Sequence, residues 1–359
     1  MSIPTGQKAL LLPSKQGEFV VDTVDVPNPD AGEVLVRIEA ASLSHLELLM
    51  QRTGIYITSY PAILGLDAAG VVVAVGDEVE NVSLGDRVLF VANFNLANRF
   101  AAQQQYAVMK ANLTSKIPPN ITFDEAATLP CNLTTAVNGL YSSVAFVAGG
   151  IQRGGANLTP FWKEGGRGKY AAQPIVILGG SSSVGQYAIQ LARISGFSPI
   201  ITTASPKNAD FVTSFGATHV LDRNLSREVL IAKIREITSQ PVHLVYDAVS
   251  FPETQNVAYD ILAPGGTLIV VVRPAIDQAK LTVDKSVYVV FGSPHIPEYA
   301  DFDAEIYRIL PELLSSGEIK PNIPEVVPGG LSGIPGGLER LKRNEVSARK
   351  LVVHPPETL

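Results

Sequence analysis

In residues 33–40 apolar and charged side chains alternate, with Val34, Val36, Ile38 and Ala40 on one face and Glu33, Arg37 and Glu39 on the other. That period of two predicts a half-buried strand. The opening residues, Met1 to Leu12, hold one short apolar run, Ala9-Leu10-Leu11-Leu12, closed by Pro13, and read as a first strand. Residues 69–75 predict another strand, ended by Gly76-Asp77, and residues 84–90 read as a turn opening a further one. The first 130 residues are therefore expected to form a β-rich, barrel-like domain.

A different pattern begins at Pro174. Ile175-Val176-Ile177-Leu178 is a continuous apolar run, as in a strand buried on both faces of a parallel sheet. Gly179-Gly180-Ser181-Ser182-Ser183-Val184-Gly185 follows, and Val184, Ala188, Leu191 and Ala192 then recur at helical spacing up to a stop at Gly196. Strands at 199–203, 219–221, 242–246 and 266–272 alternate with helices at 208–215, 227–238 and 252–261. This alternation predicts an α/β fold with a doubly wound parallel sheet. The stretch 146–173, glycine-rich and holding Pro160 and the single tryptophan Trp162, reads as an irregular surface excursion. Residues 302–315 suit one amphipathic helix, and Lys350-Leu351-Val352-Val353 is a closing strand expected to return to the N-terminal domain. The domains are thus expected at 1–130 with 294–359 and at 131–293, with a ligand cleft between them.

Composition narrows the function classes. The 359 residues suit two domains, and 46% hydrophobic residues with only 17% charged exclude a disordered chain. A net charge of -6, with no long run of one sign, gives no reason to expect a nucleic-acid partner. No apolar run approaches the length of a membrane span, and the N-terminus lacks a signal-peptide core, so a soluble cytoplasmic protein is expected. One cysteine excludes intrachain disulfides and any structural zinc site of three or four thiolates.

The glycine-rich turn carries the candidate chemistry. A dinucleotide fold needs a tight turn after its first strand, close backbone approach to the pyrophosphate and a helix N-terminus aimed at that anion. Gly180 and Gly185 match the first and third glycines of G-x-G-x-x-G, with Ser182 in the middle position. Ser181, Ser182 and Ser183 add hydroxyls, and Val184 lies in the same turn. The strand before it and the helix after it are the context this fingerprint requires. At the end of the second strand an acid would hold the ribose 2′-hydroxyl and repel a 2′-phosphate. Residues 200–209 contain no Asp or Glu and offer Ser205, Lys207 and Asn208 instead, which favours NADPH over NADH.

Taken together, these residues resemble the medium-chain dehydrogenase/reductase superfamily over nearly the full chain. The resemblance rests on Gly32-Glu33-Val34-Leu35-Val36, on residues 61–70, on Gly85-Asp86-Arg87-Val88, on residues 129–136, on Gly179 to Gly185 and on Lys350-Leu351-Val352-Val353. It implies a GroES-like β-rich catalytic domain and a Rossmann cofactor domain. Zinc-dependent members take their catalytic zinc with a Cys-His-Thr/Ser-Asp segment, a Gly-His-Glu segment and a further Cys or Asp. Here the corresponding segments are Ser44-His45-Leu46-Glu47 and Gly65-Leu66-Asp67, so two ligands are gone and Cys131 stands alone. No metal is expected.

Among zinc-free branches the chain is similar to quinone oxidoreductase-like and enoyl-reductase-like members, in particular the fungal trans-acting enoyl reductases of polyketide synthesis. The resemblance implies an NADPH-dependent reduction of an activated carbon–carbon double bond, with the substrate either free or carried by a synthase partner. It also implies cofactor contacts at Ser44, His45, Thr135, Arg223, Val271, Val272 and Lys350, each of which reads equally as a packing or surface residue. Tyr56 is a candidate proton donor to the enolate, or a core ring with its hydroxyl at the surface. Two other readings stand beside this one, an NADPH quinone oxidoreductase and a non-catalytic NADPH-binding partner of a larger synthase. Either a monomer or a homodimer fits the sequence.

Overall fold

The computed structural model describes residues 3–93 and 97–359, so Met1 and Ser2 of the predicted first strand lie outside the described residues. The chain divides into two units, residues 1–131 with 293–359 and residues 132–292.

The first unit begins with β1 (Gly6–Leu12), β2 (Val20–Asp25) and β3 (Glu33–Ser42), followed by α1 (His45–Thr53) and β4 (Ala62–Ile63). Next come β5 (Asp67–Val75), β6 (Arg87–Val91), β7 (Tyr106–Lys110) and β8 (Thr114–Lys116), and α2 (Phe123–Ala127) then leads into α3 (Pro130–Tyr141). The alternation read in residues 33–40 is real: Val34, Val36, Ile38 and Ala40 are fully buried. Val34, Val36 and Ile38 join a core with Leu10, Phe90, Met109 and Leu351, which Leu35 of the other face enters as well. Burying such apolar side chains, at about 1.5–3 kcal/mol each, stabilises this sheet more than any polar contact in it.

The second unit holds β9 (Phe146–Ala148), β10 (Ile151–Arg153), β11 (Ile175–Leu178), α4 (Ser183–Ile194), β12 (Ile200–Ala204) and α5 (Ala209–Thr213). It continues with β13 (His219–Asp222), α6 (Arg227–Ile237), β14 (Leu244–Asp247), α7 (Pro252–Ile261), β15 (Thr267–Val270) and β16 (Ser286–Val289). Its strands order as β13-β12-β11-β14-β15-β16-β10-β9, and the first six pair in parallel. The order reverses beside β11, the switch point at which open α/β sheets bind ligands. One expectation fails here. Residues 146–153 are not irregular but form a hairpin that extends this sheet by two strands.

The chain then supplies α8 (Pro297–Ser315), β17 (Pro324–Val326), α9 (Ile334–Lys342) and β18 (Lys350–Val353) to the first unit. Helix α8 starts five residues before the predicted Phe302, because Pro297 sits at its first turn, where a missing N–H costs nothing. β18 lies between β17 and β3 in the seven-stranded sheet, as the closing apolar run predicts. Among the described residues no helix is long and apolar enough to cross a membrane.

Candidate active site

In the second unit the glycine-rich turn joins β11 to α4. Gly179 has φ +78°, a left-handed conformation that a side chain would strain. It is this residue, one before the Gly180 that the fingerprint reading starts from, that makes the tight turn. A β-carbon on Gly180 would strike the hydroxyl of Thr202, and one on Gly185 would strike the carbonyl oxygen of Gly179. Gly180 and Gly185 therefore let α4 lie close against the sheet. Thr203 pins the turn from β12, its Oγ1 accepting from the Gly179 amide at 3.0 Å and its carbonyl from Gly180 at 2.9 Å.

Ser182 is the N-cap of α4, and its Oγ accepts from the Gly185 amide at 3.1 Å. Among the described residues the amides of Ser183 and Val184 have no partner within the chain. The helix thus begins with free donors and the positive end of its dipole, the chemistry of an anion site.

The other candidates of this unit stand at the same, carboxyl, ends of the parallel strands. After β12, Ser205-Pro206-Lys207-Asn208 makes one tight turn, in which the Asn208 amide donates to the Ser205 carbonyl at 2.8 Å. Lys207 is exposed and Asn208 buried. Arg223 follows β13 and is exposed, its amide bonded to Ala204 at 3.0 Å. The neighbouring Asp222 accepts from the Asn224 amide at 3.0 Å, so its carboxylate is engaged locally. Val271 and Val272 come directly after β15. Thr135 lies in α3, and its carbonyl accepts from the Tyr246 hydroxyl of β14 at 2.9 Å.

In the first unit Ser44 and Lys350 meet two acids that the sequence reading did not single out, Glu47 and Asp67, while His45 begins α1 with its imidazole held below the usual range by partial burial and the Lys350 charge. Ser44 caps α1. Its amide and hydroxyl both donate to Glu47 Oε2, at 2.6 and 2.8 Å, while its Oγ accepts from the Leu46 amide at 3.2 Å. Those bonds occupy Ser44 in the helix it begins. Glu47 is fully buried, and its Oε1 has no hydrogen-bond partner among the described residues. Burial pushes its carboxyl up to about 7, against the Ser44 bonds and the Lys350 charge.

Asp67 accepts from the Cys131 amide at 2.7 Å and from the Ser42 hydroxyl at 3.4 Å, and lies 3.8 Å from Lys350 Nζ. Burial raises Asp67 as well, opposed by the Lys350 charge and the Cys131 amide. Lys350 is 5% exposed. A signal for both acids was present, since Glu47 and Asp67 fall in the two segments where zinc relatives carry ligands. Among the described residues, however, no group of three or more His, Cys, Asp or Glu could hold a metal ion, so these side chains do not fit a zinc site.

Tyr56 follows α1 in the first unit. Its backbone is left-handed at φ +65°, and its ring lies against the small core of Leu12, Met50, Ala62 and Leu64.

Residues 30–119 match the alcohol dehydrogenase GroES-like domain and residues 183–293 the zinc-binding dehydrogenase family. The chain is 32% identical to trans-enoyl reductase himH of Aspergillus japonicus over 89% of each protein. It is 31% identical to trans-enoyl reductase buaC of Petromyces alliaceus over 98% of this chain and 97% of that one. Among solved structures, an alcohol dehydrogenase superfamily protein from Novosphingobium aromaticivorans superposes with a TM-score of 0.78 at 25% identity, covering 97% and 99% of the two chains. Crotonyl-CoA carboxylase/reductase AntE, solved with NADP, shares the fold at a TM-score of 0.76 and 17% identity, covering 98% and 95%. The chain belongs to the medium-chain dehydrogenase/reductase superfamily, as a nicotinamide-dependent oxidoreductase close to the enoyl reductases.

Proposed function

We propose that the protein is an NADPH-dependent, zinc-independent reductase of an activated carbon–carbon double bond. The observation that carries the reading is the donor set. Where zinc relatives have ligands, this chain has Ser44, Leu66 and Cys131, and among the described residues no group of three or more His, Cys, Asp or Glu could hold the Lewis acid that would stabilise an alkoxide. Reduction of a conjugated alkene needs only an enolate to be stabilised. The identity to two trans-enoyl reductases over most of the chain supports the same reaction class.

NADPH, when bound, supplies the hydride. The free amides of Ser183 and Val184, with Gly180, Ser181, Ser182 and Gly185, hold its pyrophosphate. Ser205, Lys207, Asn208 and Arg223 take the 2′-phosphate. Thr135, Val271 and Val272 orient the nicotinamide end, and the family resemblance adds Ser44, His45 and Lys350 as cofactor contacts, with Ser44 capping the helix that His45 begins. Tyr56 Oη donates the proton that completes the reduction.

The test follows NADPH oxidation over 2-enoyl thioesters, enones and quinones, with metal content measured on the same sample. Turnover of the thioesters or enones by metal-free protein is the expected result, and turnover of quinones alone would assign a quinone reductase. Tight NADPH binding without turnover on any of these would assign a non-catalytic partner. In the same assay Tyr56→Phe should lower kcat with little change in KM, and a normal rate would remove Tyr56 from proton transfer.

A further inference from the structure

The segment after β15, residues 271–277, has no regular secondary structure, yet it is bonded throughout. The Val271 amide donates to Ser250 Oγ at 2.9 Å. The carbonyl of Arg273 accepts from Gln255 Nε2 at 3.2 Å, and the amide of Ala275 donates to Gln255 Oε1 at 2.7 Å. Asn256 then takes the Ala275 carbonyl at 3.2 Å and the Asp277 amide at 3.1 Å. The bonded residues are 271, 273, 275 and 277. The bonded residues alternate, although residues 271 and 272 themselves form a bend. Two carboxamides of α7 and one hydroxyl thus stand in for a neighbouring strand. Val272, 48% exposed, lies between two of the bonded residues, and neither of its backbone groups is bonded among the described residues.

Gln255 is the centre of this arrangement. It is fully buried, and its second Nε2 hydrogen goes to the Ser250 carbonyl at 2.9 Å. Both of its donors and its acceptor are therefore used, the state in which a buried amide fixes one geometry. Ser250, with a left-handed φ of +58°, is held in turn by Asp247, whose Oδ1 accepts from the Ser250 amide at 2.8 Å and whose carbonyl accepts from its hydroxyl at 2.6 Å. The whole assembly sits at the carboxyl ends of β14 and β15.

We propose that Gln255 is a positioning residue, which through Ser250 and the bonded segment 271–277 holds the free backbone N–H and C=O of Val272, at the bend after β15, as a donor–acceptor pair for the carboxamide of the nicotinamide ring. This rests on the reading above that the nicotinamide end docks after β15. A carboxamide presents one acceptor and two donors in a plane, the complement of a strand edge. Gln255 itself touches no ligand.

The experiment compares NADPH with its 3-acetylpyridine analogue, which keeps the carbonyl but replaces the NH₂ donors by methyl. Titration with 2′,5′-ADP, which lacks the nicotinamide, reports the rest of the site. Wild type should prefer NADPH in kcat/KM. Gln255→Leu, which keeps the buried volume, should shrink that preference by about five-fold, the worth of roughly one net hydrogen bond, while 2′,5′-ADP affinity stays constant. Asn256→Ala, at a half-exposed position, should shrink it less and serves if Gln255→Leu does not fold. An unchanged preference in a folded variant overturns the positioning role and leaves the reductase reading intact. Failure of the wild type to bind either NADPH or 2′,5′-ADP overturns both.

Discussion

At the end of β12 three residues, Ser205, Lys207 and Asn208, occupy the place where an acid would select the unphosphorylated cofactor. Lys207 is exposed and Asn208 buried, so the lysine is the group free to move onto a 2′-phosphate. Lys207→Glu is expected to weaken NADPH binding by about 1–3 kcal/mol, through loss of charge-assisted bonds and the added repulsion, and to spare NADH. Fluorescence titration with both cofactors measures this, and equal NADPH affinity in the two proteins would leave Lys207 a surface residue. Glu47 makes a prediction of a different kind. The folded protein holds a proton on it up to about pH 7, whereas the unfolded chain releases one near the ordinary glutamate value of about 4.3. The stability it contributes is complete below the unfolded value and is lost as pH rises through the folded one. Lys350, Asp67 and Ser44 are the groups that act on Glu47, and Glu47→Gln keeps the shape and the neutral state. Urea midpoints taken between about pH 5 and 8 should fall less steeply for Glu47→Gln than for wild type. Parallel profiles would mean that Glu47 is charged throughout. The glycines of the turn were legible in the sequence because their requirement is local. Glu47 and Asp67 were overlooked because an acid in a strand or helix reads as surface until burial is known.

Elements show the same division. Helix α7 was read at its observed limits, 252–261, because Pro252 marks its first turn and the apolar spacing does the rest. The hairpin of β9 and β10 was missed, although its signal is plain in retrospect. Gly149 and Gly150, with φ of +58° and +72°, form a two-residue turn between Phe146-Val147-Ala148 and Ile151-Gln152-Arg153. Three-residue strands carry too little periodicity to stand out from a glycine-rich loop. The hairpin covers the edge of β16, whose backbone would otherwise offer unpaired groups to another chain. Replacing both Gly149 and Gly150 by valine, which resists positive φ, should unpair the hairpin and raise concentration-dependent self-association. Light scattering over a dilution series tests this, and a variant that scatters like wild type would show that the β16 edge needs no cover.

For the whole molecule, the decisive feature is that the chain leaves its first unit at Cys131 and returns to it at Ser293. The return is anchored by β18, whose Leu351, Val352 and Val353 are fully buried, and by bonds beyond it. Thr358 Oγ1 accepts from the Leu331 amide at 2.9 Å, and His354 lies between Asp124 and Glu357 at 2.8 and 2.9 Å. Deleting residues 350–359 removes an interior strand, and burial worth about 1.5–3 kcal/mol for each of its three buried apolar side chains is comparable to the whole stability of a domain, about 5–15 kcal/mol. The first unit should then unfold while the second keeps its parallel sheet. Hydrogen exchange should show lost protection in β3 and β5 with retained protection in β11 and β14, and uniform loss would mean that the two units fold as one.

The sequence by itself determined the β-rich and parallel-sheet units, their order, the glycine turn and the family, because period, glycine and apolar runs act on residues near one another in the chain. Only the tertiary structure decided which distant residues meet. The Asp67 carboxylate caps α3 at Cys131, Tyr246 reaches Thr135, and Lys350 settles beside Asp67. Gln255 likewise became visible as the support of residues 271–277 only once both were placed. These pairings depend on strand register and on what each side chain finds when water is excluded. No local pattern encodes either.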